Sequence, residues 1–170
     1  MKSELILGID PGLNRTGYAL LGRSSEGPTI CEGGVIRSTA GLSLAERVHE
    51  IASGLEEVLV EHHPAQMAIE QIFSTPDFPK TAVLMAHARG AILCLAVKYR
   101  LEIAHYTPRQ IKKLLTGSGK ATKEQMQLAV QRELRLSKIL EPNDVADAFA
   151  AALCHYHTGK LRALGRGIDL

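Results

Sequence analysis

A mixed α/β fold follows from three features of the sequence: a five-stranded sheet, with three antiparallel strands followed by parallel ones, flanked by helices. Three β-like runs succeed one another early in the chain with connections of only a few residues, which imposes an antiparallel meander. Helical periodicity then alternates with two further strand-like stretches, the pattern of crossover connections into a parallel sheet. Capping residues, Pro and Gly stand where those elements must end. Such alternation excludes all-α and all-β classes.

The meander occupies 4–10, 16–22 and 28–37, the last run following Ser24-Ser25-Glu26-Gly27. Ser43 with Glu46 three residues on makes a capping box, and Leu44, Val48, Ile51, Leu55, Val58 and Leu59 recur at helical spacing. A helix therefore runs to about His62, where His63-Pro64 stops it. Residues 66–70 form a short strand with the geometry of a crossover back into the sheet. Pro76 and Pro79 keep 71–80 as a loop. From 81 to 99 the chain is almost wholly apolar at helical length, as suits either central core or a face covered by a second subunit. A fifth strand covers 102–106. Thr107-Pro108 starts a short basic helix that Gly117-Ser118-Gly119 breaks, and Thr122 with Gln125 caps a helix to about Leu136. Glu141-Pro142-Asn143 opens the last helix and Gly159 closes it. One domain over 1–158 with a flexible tail at 159–170 is expected.

The 170 residues suit a single core, and 45% apolar with 22% charged residues argues against general disorder. No stretch approaches the roughly 20 apolar residues of a membrane span, so no membrane association and a cytoplasmic location are expected. Cys31, Cys94 and Cys154 lack Cys-x-x-Cys spacing and read as reduced packing thiols, which argues against a zinc site. The net charge of +2 does not by itself mark a nucleic-acid binder. Its distribution is more telling: Arg109, Lys112, Lys113, Lys120 and Lys123 form a cationic strip with no acid between 107 and 123. Such a strip can neutralise phosphates, or can simply be a solvated face.

The candidate chemistry lies in four acids. The apolar run ending at Asp10-Pro11-Gly12 delivers a carboxylate out of a buried strand into a turn, which suits metal or phosphate chemistry but also an ordinary structural turn. Glu70 ends its strand in the same way. Asp144 and Asp147, three apart, share one face of the first turn of an Ala-rich helix that must pack closely on the sheet. They could merely complement the helix dipole. Taken together, four carboxylates at a core edge repel by about 4 kcal/mol per close pair at an effective dielectric of 20, so they need protons or a cation. All-oxygen ligation suits Mg²⁺ or Mn²⁺, and two such ions would clamp the attacking and leaving oxygens in phosphodiester hydrolysis.

These residues also carry a resemblance. Leu-Gly-Ile-Asp-Pro-Gly with Thr16-Gly17, Ile69-Glu70-Gln71-Ile72-Phe73, Ala88-Arg89-Gly90, Pro108-Arg109-Gln110-Ile111-Lys112, the Gly117 to Gln125 pattern and Asp144-x-Ala146-Asp147-Ala148 occur in this order over nearly the whole chain. The sequence thereby resembles the RuvC family of Holliday junction resolvases, within the ribonuclease H-like nucleases. The resemblance implies a ribonuclease H-like fold with Asp10, Glu70, Asp144 and Asp147 as metal-binding catalytic carboxylates. It implies two Mg²⁺ per subunit, with Mn²⁺ as a possible substitute. Phe73 would probe opened bases of a four-way junction, and Lys112 and Lys123 would contact DNA near the scissile phosphate. Paired symmetric nicks leaving 5′-phosphate and 3′-hydroxyl ends would require a homodimer. A branch-migration complex of RuvA and RuvB is an expected partner. Two other readings stay open: a related nuclease cutting RNA-DNA hybrid or RNA, and a non-catalytic DNA-binding module. Asp77-Phe78-Pro79 and Met85-Ala86 depart from the family pattern.

Overall fold

In the computed structural model, which describes residues 5–73, 77 and 79–163, strand β1 (Ile6–Asp10) is the centre of the sheet. Its run of apolar side chains is covered on both faces: Leu7 and Ile9 lie in one core and Ile6 in the other. β2 (Arg15–Ser24) pairs antiparallel with β1, and β3 (Gly27–Arg37) pairs antiparallel with β2. Helix α1 (Leu44–His62) then crosses over, so that β4 (Gln66–Glu70) returns parallel to β1 on its other side. After α2 (Pro79–Lys98), β5 (Glu102–Tyr106) adds parallel to β4, giving the order β3-β2-β1-β4-β5. The expected mixed sheet is therefore present.

The helices divide between its two faces. α1 and α2 cover Leu7, Ile9, Met67 and Ile69. On the opposite face α3 (Pro108–Thr116), α4 (Lys123–Glu133) and α5 (Asn143–Ala163) surround Ile6, Ala68 and Phe149. Capping boxes at Ser43, Thr107 and Thr122 start α1, α3 and α4, and left-handed His63 and Gly117 end α1 and α3.

Several boundaries differ from expectation. α2 begins at Pro79, inside the stretch read as loop, because a proline in the first helical turn loses no hydrogen bond. Positions 74–76 and 78 of that stretch lie outside the described residues. α4 ends at Glu133, short of Leu136. α5 runs through Gly159 to Ala163, past the expected close at 158. A helical glycine costs only about 1 kcal/mol. The adjoining turn is held by Thr158 donating to the Cys154 carbonyl at 2.7 Å and by His157 pairing with Glu133 at 2.8 Å. Of the expected tail, 159–163 is thus helical, and 164–170 lies outside the described residues.

One further expectation is corrected. α2 is long and apolar enough to span a bilayer, an 18-residue stretch within it averaging a hydropathy of 1.4 although Lys80, Arg89 and Lys98 interrupt the helix. Here it is docked on the sheet by Ala88, Ile92 and Ala96, spaced four apart on one face, while Val83, Leu84 and Val97 are exposed.

α5 packs against the sheet nearly backbone to backbone. A Cβ on Gly8 would stand 2.0 Å from the Ala148 carbonyl oxygen and 2.8 Å from the Ala152 Cβ. Gly8→Ala should therefore cost about 1–3 kcal/mol, read as a lower urea midpoint at unchanged slope. Gly90→Ala, where a Cβ meets nothing within 4 Å in mid-helix, should be neutral or stabilising by up to about 1 kcal/mol. Equal effects at both positions would show that the α5 seat is not closely packed.

Candidate active site

Strand parity decides where two of the four acids point. Side chains alternate along a strand, and Ile6 in β1 and Ala68 in β4 face the α5 side; Asp10 and Glu70, an even number of residues on, face that side too. The parallel pairing of Ile9 with Ile69 places both acids at the same end of adjacent strands. On the other flank of β1, Asp10 pairs with Gly17, where an added Cβ would meet the Asp144 carbonyl oxygen at 2.0 Å. The N-terminal end of α5, with Asp144 in its first turn and Asp147 one turn on, is thus laid beside the same strand ends.

The turn between Asp10 and β2 is rigid. Thr16, fully buried, donates its hydroxyl to the Gly12 carbonyl at 2.7 Å and accepts the Gly12 N–H at 3.2 Å. Ser38 donates to the Leu13 carbonyl at 2.6 Å, and Arg47 braces both Ser38 and Asn14. Asp10 accordingly leaves its strand into a fixed loop.

The electrostatics bind the four acids into one group. Burial pushes Asp10 up to about 8, and the charges of Asp147, Glu70 and Asp144 push in the same direction, with Lys123 opposing. Glu70 is raised to about 7 by burial and by Asp147, with Lys112 opposing. Asp147 is raised by burial and Asp144, against Lys123 and Lys112. Asp144 is engaged by Arg15, whose guanidinium lies 2.5 Å from its carboxylate. Among the described residues no three His, Cys, Asp or Glu side chains converge tightly enough to hold an ion as they lie. The four are therefore a coupled but open set. Its chemistry fits a hard divalent cation, since every donor is a carboxylate oxygen and their mutual repulsion is what such a cation relieves.

Two clefts meet at this set. A wider one of about 770 Å³ is lined by Arg15, Arg37, Lys123, Asp144 and Asp147, and a smaller one of about 270 Å³ by Glu70, Lys112, Lys123 and Asp147. Asp147 and Lys123 line both. The cationic strip divides accordingly. Lys112 and Lys123 are the lysines felt by the acids, whereas Lys113 lines a separate groove with Leu114, Glu133 and His157. Arg109 is exposed with its side-chain stem against Gly119, and Lys120 is exposed on the turn between α3 and α4. Phe73, three residues beyond Glu70, is 59% exposed.

Three arginines were not singled out by sequence reasoning as site residues. Arg15 and Arg37 join the wide cleft from strands whose proximity only the meander register reveals. Arg89 had a visible signal, a lone charge in the middle of an apolar helix. Its Nε donates to the Glu70 main-chain carbonyl at 3.1 Å, and its Nη2 contacts His105 Nδ1 at 2.7 Å. His155 is buried and shares a hydrogen bond with the Tyr106 hydroxyl at 2.8 Å.

Known proteins resemble this chain in sequence and in fold. Residues 6–155 match the family model of crossover junction endodeoxyribonuclease RuvC. The crossover junction endodeoxyribonuclease RuvC of Rhodopirellula baltica is 52% identical over 158 residues, which cover 91% of this chain and 88% of that protein. That of Nitrosomonas eutropha is 42% identical, over 93% of this chain and 87% of the other. Among solved structures, Thermus thermophilus RuvC in complex with Holliday junction substrate superposes with a TM-score of 0.83 at 30% identity, over 91% of this chain and 94% of that one. The yeast mitochondrial Holliday junction resolvase Ydc2 shares the fold, with a TM-score of 0.72 at 13% identity. By the extent of these matches and the fold they share, the chain belongs to the RuvC family of crossover junction endodeoxyribonucleases.

Proposed function

We propose that this protein resolves four-way DNA junctions by paired, symmetric nicks, in recombination and repair, with Asp10, Glu70, Asp144 and Asp147 as its metal-binding catalytic carboxylates. The observation that carries the reading is the convergence of those four acids on one end of the sheet, in a chain of this family. Two divalent cations, Mg²⁺ with Mn²⁺ as a substitute, would supply Lewis-acid stabilisation of the attacking and leaving oxygens. Asp10, which feels all three other acids, would be the donor best placed to serve both ions. Lys112 and Lys123 neutralise phosphate oxygens and favour the ionised acids beside them. Phe73, exposed three residues beyond Glu70, offers an aromatic face to bases opened at the junction. Water attack on the phosphodiester leaves 5′-phosphate and 3′-hydroxyl ends.

Two nicks placed symmetrically need two copies of the site, and the exposed Val83, Leu84 and Val97 make α2 the candidate face for a homodimer. A branch-migration complex of RuvA and RuvB, acting with this protein in the cytoplasm, completes the proposal. A module that only bound DNA would gain nothing from four acids in its cleft, because they repel a polyanion.

Protonation provides a test of the site without DNA. Asp10 and Glu70 keep protons at pH values where the unfolded chain has lost them, at 3.8 and 4.5 against about 8 and 7. The unfolded state is then favoured as pH rises from about 4 to 8, so the metal-free native protein loses stability across that window. Asp10→Asn should flatten the profile and raise stability at pH 8 by on the order of 2 kcal/mol, followed by urea denaturation in a chelating buffer. A variant whose profile runs parallel to the wild type would remove Asp10 from the coupled set.

Cleavage of four-way junction, duplex and RNA-DNA hybrid with and without Mg²⁺ tests the function. Nicking of the junction should need the metal and should fall by roughly 10³-fold or more in Asp10→Asn and Glu70→Gln while junction binding persists. Hybrid cut much faster than junction would instead select the related ribonuclease reading. Lys112→Ala and Lys123→Ala should each weaken junction binding and reduce its salt slope by about 1. Lys113→Ala, on its separate groove, should do so less.

A further inference from the structure

Beyond Ile69, β4 loses one of its neighbours. Its pairing with β1 ends at Ile9 and Ile69, and only the β5 side continues, through Glu70 opposite Tyr106 and the Gln71 N–H donated to the Tyr106 carbonyl at 2.8 Å. Glu70 thus sits where the chain is held along one edge and its main chain is about to leave the sheet. Its carbonyl takes the Nε–H of Arg89 from α2, at 3.1 Å. The same guanidinium reaches His105 Nδ1 on β5 at 2.7 Å, so one side chain ties α2, β4 and β5 together. Burial and the nearby guanidinium lower the His105 pKa, which keeps that ring nitrogen an acceptor.

We infer that Arg89 is a positioning residue: it fixes the exit of β4 so that the Glu70 carboxylate is held toward Asp10 and Asp147, and it makes that position depend on the seat of α2. The inference rests on the proposed role of Glu70. Arg89 also borders a cleft of about 610 Å³ with Gln71, Ile72 and Gly90, where a guanidinium could be read as a phosphate contact. Its bonding argues otherwise. Nε and one terminal nitrogen are committed to protein acceptors, in the planar two-pronged geometry that a lysine cannot reproduce. Ala88, immediately before Arg89, is buried in the core that α2 shares with β1 and β4, while Val83, Leu84 and Val97 face outward. A shift of this helix on covering or uncovering that outer face would reach Glu70 through this one side chain.

The test uses the full chain with Arg89→Met, Arg89→Lys and His105→Leu. Single-turnover nicking and binding of a four-way junction would be measured in Mg²⁺, and amide hydrogen exchange in metal-free, DNA-free protein. Arg89→Met should slow nicking about 10–100-fold at saturating enzyme with junction affinity within about twofold. It should speed exchange at Gln71 about tenfold or more while Ile69, inside the sheet, is unchanged. Arg89→Lys, with its charge but one point of donation, should recover only part of both losses, and His105→Leu should give a milder form of each. Loss of affinity with a salt slope smaller by about 1, at unchanged saturated rate and exchange, would make Arg89 a phosphate contact and overturn the inference. Faster exchange at Ile69 to the same extent as at Gln71 would show general loosening and overturn it too. If the wild type fails to nick junctions, the proposed function fails, and the exchange comparison still decides the positioning of β4.

Discussion

The close seat of α5 on β1 and β2 is the constraint on which the rest of the site depends. Gly8 and Gly17 leave the backbone of α5 nearer to the strands than any side chain would permit, with Ala148 and Ala152 small enough to follow. That approach puts the first turn of α5 level with the ends of β1 and β4, so that two acids from a helix meet two from strands. Packing therefore gathers the four carboxylates at one edge. The cost is electrostatic: carboxylates gathered at a half-buried edge are driven toward protonation, as the values of about 8 and 7 at Asp10 and Glu70 express.

Much of this was legible in the sequence because its signals are local. Alternation, capping boxes and Pro-Gly breaks marked the strands and three helix starts, and the four acids stood out where apolar runs stop at a charge. The motifs in sequence order also placed the chain beside its family. What could not be read was register. Nothing in sequence says that Ile9 faces Ile69, which is what brings Asp10 and Glu70 to one edge. Nor does it say that Gly17 lies under Asp144, or that Arg37 enters the wide cleft. Pro79 and Gly159 misled for a related reason. Their usual meaning as breakers holds in helix interiors and at helix ends, and here one stands in a first turn while the other is carried by flanking contacts.

The basic residues show why a charge run is not a surface. Lys112 and Lys113 are adjacent in sequence, yet the helix turns them about 100° apart. One acts on Glu70 and Asp147, and the other lines a groove beside Glu133 and His157. Lys123, from the start of another helix, completes what Lys112 begins. A cationic strip is thus sorted by helix geometry into the part that meets the acids and the part that does not.

Arg15 shows how the site balances its own charge. Paired with Asp144 at 2.5 Å, it offsets one of the four acids, and it stands in the wide cleft with Arg37 and Lys123. A pair exposed to this degree is worth little to stability, since solvent screens it. Its value lies in its reversibility. A polyanion entering the cleft would compete for the guanidinium as a cation would for the carboxylate, and each exchange would make the other less costly. A cation held by the carboxylates and a polyanion held by the guanidinium would then each ease the other's entry, a coupling that must be reciprocal.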